Sequence, residues 1–387
     1  MVNSDMDSRA TYMLTSGPQG PISTVNGKRV INLASNNYLC LNAHPKVKEA
    51  AARAIEAYGV GACASRAVIG TMSIHAELER LLAEFHRTQI AVAFGSGFTA
   101  NLGILGSVLS EGDVAIGDEL NHESIVDGVR LAKAAYETYG HLDMGELEKA
   151  LAKATSKGHR TVLVVTDGVF SMSGDVAPLP MIADLAAAYG ALTMVDDAHS
   201  VGVLGDNGRG TVNHFHLEDR WDIYMAGMSK AFGVGGGYVA CQRSLGQRIM
   251  ANAHTFMYTT ADPPPVVAAC IASLQLLLGD EGNGLIRRMW ENARFFKRGL
   301  EELGFLTGAS QTPITPIVVG DQLTARRFSQ RLFEEGVLAL DFSYPVVPQG
   351  QSLLRTIVTA GHTRGDLERA LEAVAKVGKE LRLAKGT

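Results

Sequence analysis

The sequence has little cysteine, few aromatic residues and little net charge. Its 387 residues include four cysteines and 6% aromatic residues, and the formal net charge is −5. The cysteines form no CxxC pair and none has a histidine at zinc-ligand spacing, which argues against a structural metal site and a disulfide framework. Acidic and basic residues are interspersed without a basic run longer than two residues, so nothing predicts a nucleic-acid partner.

Long hydrophobic runs and an apolar leader are also missing. The longest apolar stretch, PPPVVAACIASLQLLLG, contains serine and glutamine and is too short to span a bilayer. The first residues, MVNSDMDSRATYM, are polar and carry early acids, unlike a signal peptide. Because 46% of the residues are hydrophobic and 19% are charged, we expect a soluble, cytoplasmic protein with a large core and no membrane partner.

Apolar, strand-like segments alternate with helical patterns from about residue 45 to residue 285. This alternation is typical of an α/β domain with a mostly parallel sheet. Beyond it, amphipathic helices such as LIRRMWENARFFKRGLEELG are mixed with short apolar runs, which predicts a smaller α+β domain. We therefore expect an N-terminal segment over 1–45, a large domain over 46–285 and a small domain over 286–387.

Several of the predicted strands end in a glycine or an acid. These residues are Gly95, Asp118, Asp167, Asp196 and Gly227. Ligands of open α/β sheets bind beyond the carboxyl ends of the strands, so we expect the chemistry of this protein at that edge.

A lysine follows one of these strand ends, in MAGMSKAFGVGGGYVAC. Lys230 lies among small residues, where desolvation can free a lysine amine as a nucleophile toward an aldehyde. In VDDAHSVGVLG, Asp196 can pair with a protonated heterocyclic nitrogen, and His199 can bond a neighbouring oxygen. Pyridoxal 5′-phosphate (PLP) needs such a lysine and such an acid. A surface lysine, and a turn-capping aspartate beside an ordinary loop histidine, remain open as alternatives for the isolated motifs.

Three further positions can serve the same site. SGFTANLG follows a strand and opens a helix, so its backbone N–H groups can hold an anion such as a phosphate; an ordinary strand–helix junction looks the same. His122, in DELNHESIVDG, can lie flat on an aromatic ring or simply begin a helix. Arg355, in SLLRTIVTA, can grip a carboxylate or form an internal salt bridge.

The order of the motifs is more specific than any one of them. SNNYLCL, SGFTAN, DELNHESIVDG, TDGVFSMSGDVAPL, VDDAHSVGVLGDNGRG, SKAFGVGGGYVA and YPVVPQGQSLLR occur in sequence over roughly residues 20–380. Together they resemble the α-oxoamine synthase family of fold-type I PLP enzymes. The resemblance implies a large domain with a mostly parallel seven-stranded sheet between helices, a smaller α+β C-terminal domain, and a homodimer with shared active sites.

The resemblance also implies roles for individual residues. Lys230 is expected to bond the cofactor aldehyde, Asp196 the pyridine nitrogen and His199 the ring hydroxyl, while His122 stacks on the ring. Arg355 is expected to hold the amino-acid carboxylate with Asn36 nearby. The other expected cofactor contacts are Gly97, Phe98, Ser171 and Ser229, with Thr259 and Thr260 reaching the phosphate of the neighbouring subunit. No metal is implied.

The implied reaction joins a small amino acid to an acyl thioester and releases a free thiol. Glycine with acetyl-CoA is the favoured pair because of the YPVVPQGQ block. Alanine with a pimeloyl thioester (8-amino-7-oxononanoate synthesis), serine with a long acyl chain as in serine palmitoyltransferase, and a specialised-metabolite reaction are alternatives. So are a carrier-protein thioester as donor, amino transfer and a non-catalytic role. The sequence departs from the family pattern at Gly227, where a hydroxyl residue usually bonds the phosphate.

Overall fold

The computed structural model describes residues 12–383, and the chain divides into two compact units. The larger unit comprises residues 36–288 and 309–312, and the smaller one comprises the described residues up to 35 together with 289–308 and those from 313 onward. The expected division at 45/46 and 285/286 therefore differs from the structure. Residues 36–45 belong to the larger unit, and the strands before them pack with C-terminal segments.

A seven-stranded sheet lies at the centre of the larger unit. In spatial order its strands are β4 (Ile90–Phe94), β10 (Gly237–Cys241), β9 (Ile223–Gly227), β8 (Leu192–Asp196), β7 (Val162–Asp167), β5 (Val114–Asp118) and β6 (Ala135–Tyr139). Strand β10 runs antiparallel to both of its neighbours, β4 and β9, whereas the pairs from β9 through β6 are parallel. Strands β5, β7, β9 and β10 are buried throughout, as expected where helices cover both faces. The prediction of a mostly parallel sheet is confirmed.

Helices alternate with these strands along the chain. They are α1 (Pro45–Tyr58), α2 (Ser73–His86), α3 (Gly97–Val108), α4 (Glu123–Leu131), α5 (Met144–Ser156), α6 (Leu179–Tyr189), α7 (Thr211–His214), α8 (Arg243–Asn252), α9 (His254–Met257) and α10 (Pro264–Leu278). Side-chain oxygens begin several of them: Ser96 Oγ accepts from the Thr99 N–H at 3.1 Å, and Asp143 Oδ1 accepts from the Glu146 N–H at 2.9 Å. The apolar helix α3 packs into the core beside the sheet.

The longest apolar stretch of the sequence forms α10, and α11 (Asp280–Glu302) follows it. Within residues 12–383, no single helix is long and apolar enough to cross a bilayer. The pair α10 and α11, bent by 78°, passes that test of length and composition together. The boundary between the two units falls inside α11.

The smaller unit contains two further sheets. One consists of β1 (Thr15–Ser16), β2 (Ile22–Val25), β3 (Lys28–Asn32) and β12 (Val337–Leu338); the other consists of β11 (Ile314–Gly320), β14 (Ser352–Ile357) and β13 (Leu340–Phe342). Helices α12 (Gln322–Glu334) and α13 (Arg364–Glu380) belong to the same unit. Because β3 pairs in parallel with β12, the N-terminal strands are part of this unit's architecture.

Two acidic residues lie side by side at the carboxyl ends of the parallel strands. Asp167 and Asp196 are register partners on β7 and β8, and Asp196 is paired with Met225 of β9. The antiparallel β10 begins beside the ends of β9 and β4, since Gly237 pairs with both Gly227 and Phe94. The glycine run after Lys230 therefore returns the chain to the same edge of the sheet.

Candidate active site

A cavity of about 230 Å³ lies at this edge of the larger unit. The predicted residues that line it are Gly97, Phe98, His122, Asp196, His199, Ser229 and Lys230. Asp167, which the sequence identified as a strand end without giving it a role, lines it too.

Asp196 ends β8 as a buried carboxylate, with 6% of its surface exposed. Its Oδ1 accepts from the Ala198 N–H at 3.0 Å, and its Oδ2 accepts from the Asn101 amide at 2.8 Å. Each oxygen has a second lone pair, so the carboxylate can still accept a bond from a group in the cavity. Asn101 lies in the quoted motif SGFTAN, but nothing in that motif indicates which residue it contacts.

His199 is fixed by a tyrosine that the sequence interpretation passed over. The Tyr38 hydroxyl is 2.7 Å from His199 Nδ1, and the two rings meet edge to face. Both side chains are buried. Because Nδ1 takes part in this bond, Tyr38 orients the ring of His199. The motif SNNYLCL contains the tyrosine, and its aromatic residue was the available signal.

Asp167 and Asp196 form a pair of adjacent buried acids. Burial, reinforced by the charge of Asp196, raises the pKa of Asp167 well above its ordinary value; the backbone N–H of His122 and the charge of Lys230 act in the opposite direction. The His122 N–H donates to Asp167 Oδ1 at 3.3 Å.

Lys230 is half-buried, in the turn that follows β9. Its Nζ is 3.7 Å from the point where a side chain at position 227 would begin, so the amine lies over Gly227. The backbone of Gly227 also lies against the start of α3, 3.5 Å from the point where a Cβ on Gly97 would stand. Lys230 Nζ and the start of α3 therefore both lie against Gly227.

Other predicted residues do not line this cavity. Thr259 and Thr260 are exposed, and Ser171 and Asn36 are partly buried elsewhere in the larger unit. Arg355 belongs to the smaller unit, where it is 9% exposed on β14 and its guanidinium lies 4.9 Å from the centre of the Phe342 ring.

Comparison with known proteins identifies the family. A family model described as aminotransferase class I and II matches residues 28–374. A relative named 8-amino-7-oxononanoate synthase, from Thermoanaerobacter pseudethanolicus, is 52% identical over 95% of this chain and 92% of its own length. Another, 8-amino-7-oxononanoate synthase 1 of Bacillus subtilis, is 47% identical over 94% of this chain and 92% of its own length. The chain belongs to the α-oxoamine synthases of this family.

A solved structure agrees with this assignment. A lysine-to-alanine variant of serine palmitoyltransferase from S. paucimobilis, with a bound PLP–myriocin aldimine, has a TM-score of 0.92 and 31% identity, covering 96% of this chain and 93% of that one. The fold-type I architecture predicted from the motifs is thus confirmed. The α-oxoamine synthase is a PLP-dependent acyltransferase, and PLP is its cofactor.

The residues of the cavity fit this cofactor. A buried carboxylate can accept from a ring N–H, a histidine can bond a ring hydroxyl, and an amine can reach an aldehyde. The start of α3 supplies N–H groups for a phosphate. Gly227 contributes no hydroxyl to that phosphate end, and Ser229 is the nearby side chain that carries one.

Proposed function

We propose that this enzyme acts as an 8-amino-7-oxononanoate synthase, condensing L-alanine with a pimeloyl thioester. The observation that supports this pair is the 52% identity, across 95% of the chain, to a relative that carries the name. The serine palmitoyltransferase structure is less similar, at 31% identity. The proposal replaces the glycine and acetyl-CoA pair that the YPVVPQGQ block favoured.

In this proposal, four side chains of the cavity carry the chemistry. Asp196 would pair with the ring nitrogen of PLP, His199 would bond its ring hydroxyl, His122 would cover its face and Lys230 would hold its aldehyde. Bound PLP supplies an electron sink for bonds broken at the α-carbon. Lys230 Nζ then takes the α-proton as a general base.

The remaining steps conserve atoms and charge. The α-carbon forms a bond to the thioester carbonyl carbon, and the sulfur leaves with a proton as free thiol. The original carboxyl group leaves as carbon dioxide, and the α-carbon takes up a proton to complete the aminoketone. Of the two protons delivered, to the sulfur and to the α-carbon, Lys230 Nζ supplies one and water supplies the other. We assign the binding of the substrate carboxylate to Arg355 and Asn36.

The phosphate end of the site is proposed to include a second copy of the chain. Gly97 and Phe98 supply backbone N–H groups, and Ser171 and Ser229 supply hydroxyls. Thr259 and Thr260 are proposed to reach the partner's site in a homodimer. Exposed apolar side chains in the same unit support an interface: Tyr258 is 75% exposed, and Val68 and Ile69 are each 79% exposed. The four cysteines are all free, which supports a cytoplasmic location.

A matrix of substrates tests the proposal. Alanine, glycine and serine are each combined with pimeloyl, acetyl and palmitoyl thioesters of CoA and of a carrier protein. Thiol release and product mass are measured for every pair. We expect the highest kcat/KM for alanine with a pimeloyl thioester, and a product that has lost carbon dioxide. A preference for glycine with acetyl-CoA, or for serine with palmitoyl-CoA, would assign the enzyme to another branch of the family.

A further inference from the structure

A chain of hydrogen bonds joins Asp196 to His122 through two buried residues that the mechanism above does not use. The Asn101 Nδ2 group donates to Asp196 Oδ2 at 2.8 Å and to Ser124 Oγ at 2.8 Å. Ser124 Oγ is in turn 2.6 Å from His122 Nδ1. Asn101 is 0% exposed and Ser124 is 1% exposed.

The direction of the bonds follows from the His122 end. The backbone N–H of Ser124 donates to His122 Nδ1 at 3.3 Å, and a backbone N–H can only donate. Nδ1 is therefore an acceptor, so the Ser124 hydroxyl must donate its hydrogen to it. That hydroxyl then has lone pairs left for Asn101, and the proton of the neutral His122 ring lies on Nε2.

The Asp196 end gives the same direction. An ionised carboxylate only accepts, so Asn101 must present its NH₂ group and not its oxygen. Both hydrogens of that group are used, one on Asp196 and one on Ser124. Among the described residues, Asn101 Oδ1 has no hydrogen-bond partner, so no competing hydrogen bond favours the flipped orientation of the amide.

We propose that Asn101 and Ser124 are positioning residues that fix the tautomer of His122 and link its orientation to that of Asp196. The inference rests on the proposed function, which gives His122 and Asp196 their roles. Fixed in this way, His122 presents an Nε2–H donor that can bond a substrate oxygen. Asn101 donates to Asp196 Oδ2 and so orients the carboxylate, which keeps a lone pair for the ring nitrogen of the cofactor.

The tautomer is measurable without any substrate. In holoenzyme labelled with ¹⁵N-histidine, the two ring nitrogens of His122 are assigned by the loss of their signals in His122→Gln. We expect one unprotonated Nδ1 signal and one protonated Nε2 signal. In Ser124→Ala the tautomer ratio is expected to change roughly fivefold toward Nδ1–H, the effect of losing one neutral hydrogen bond. Ser124→Thr keeps the hydroxyl and is expected to restore the wild-type pattern.

Two further variants separate positioning from a general loss of packing. Ser107→Ala removes a buried hydroxyl from α3 that bonds Gly103 O at 2.6 Å, and it is expected to leave the His122 signals unchanged. Asn101→Leu is expected to move them through Ser124, which lies between Asn101 and His122 in the chain of hydrogen bonds. Thermal unfolding checks that each variant is folded, and Ser124→Ala carries the test alone if Asn101→Leu does not fold.

His122 signals that stay in place in Ser124→Ala would overturn the proposal. If the His122 signals move in Ser124→Ala but not in a folded Asn101→Leu variant, Ser124 is a positioning residue and Asn101 is not. These spectra need only the holoenzyme. The test of the positioning residues therefore stays valid if the substrate assay shows a preference for another amino acid or acyl chain. In the kinetic readout, Ser124→Ala is expected to lower kcat more than it raises the amino-acid KM.

Discussion

Gly237, in the glycine run after Lys230, offers a direct test of how the cavity is built. A Cβ at this position would stand 2.5 Å from the backbone oxygen of Ser96 and 2.6 Å from the backbone nitrogen of Gly97. Both atoms belong to the junction that begins α3, so no flexible side chain can move aside. Gly237→Ala therefore has to displace that junction by close to an ångström.

The displacement is expected to affect both folding and cofactor binding. Overpacking of this kind costs ~1–3 kcal/mol of unfolding free energy. Each misdirected N–H bond to a phosphate costs ~1.5–3 kcal/mol, which weakens PLP affinity about tenfold or more. Urea unfolding of the apoenzyme measures the first effect, and absorbance titration with PLP measures the second.

Gly235→Ala is the matched control, two residues earlier in the same run. The nearest atom to its Cβ would be Val266 Cγ1 at 3.9 Å, and its backbone is not in the left-handed region. The apoenzyme of this variant is expected to be as stable as wild type or slightly more stable, because alanine restricts the unfolded chain. If Gly237→Ala behaves like Gly235→Ala in both assays, close backbone approach is not the reason for glycine at 237.

Substitutions at two other positions, Gly227 and His141, give further tests. At Gly227 a Cβ would have only ordinary contacts, the nearest at 3.6 Å, so Gly227→Thr is expected to add a phosphate bond and lower the Kd for PLP about tenfold, whereas Gly227→Val is not. His141 lies between Asp118 and Asp175, at 2.9 Å and 2.6 Å; burial lowers its pKa, but bonds to the two acids outweigh this and raise it to about 9. Its stabilising contribution is therefore full below the unfolded pKa of about 6.5 and is lost as the pH rises through about 9. The difference in unfolding free energy between wild type and His141→Gln should shrink over that interval; a constant difference would contradict the ion-pair reasoning.

The strands that bear the site were predictable because their sequences are simple. The segments ending at Asp118, Asp167 and Asp196 are mostly apolar runs that end in an acid, a pattern typical of a strand covered on both faces. β6 and β10 were missed for physical reasons. The sequence AYETY of β6 lies at the edge of the sheet and is half polar, and β10 begins within a glycine run.

Contacts between segments that are distant along the chain could not be predicted from the local sequence pattern. Nothing in a local sequence indicates that β3 pairs with β12, some 300 residues away along the chain. The same holds for Tyr38 on His199 and for Asn101 on Asp196, whose partners are set by how strands and helices meet. The residues to which we assign the chemistry were predicted from their motifs, whereas the residues that orient them became visible only through their contacts.

The acid pair at the ends of β7 and β8 leads to a final prediction. Because burial and the neighbouring carboxylate raise the pKa of Asp167, we expect Asp167 to hold a proton and so to add no second negative charge beside a protonated cofactor ring. Asp167→Asn replaces a neutral acid with a neutral amide, so PLP affinity should change by less than about threefold. Asp196→Asn removes the anion itself and should weaken PLP binding by about tenfold or more and abolish most of the turnover. Absorbance titrations of the two apoenzymes compare them directly. Equal losses of PLP affinity would show that both acids are ionised in the site, and that the charge balance argued from their burial is wrong.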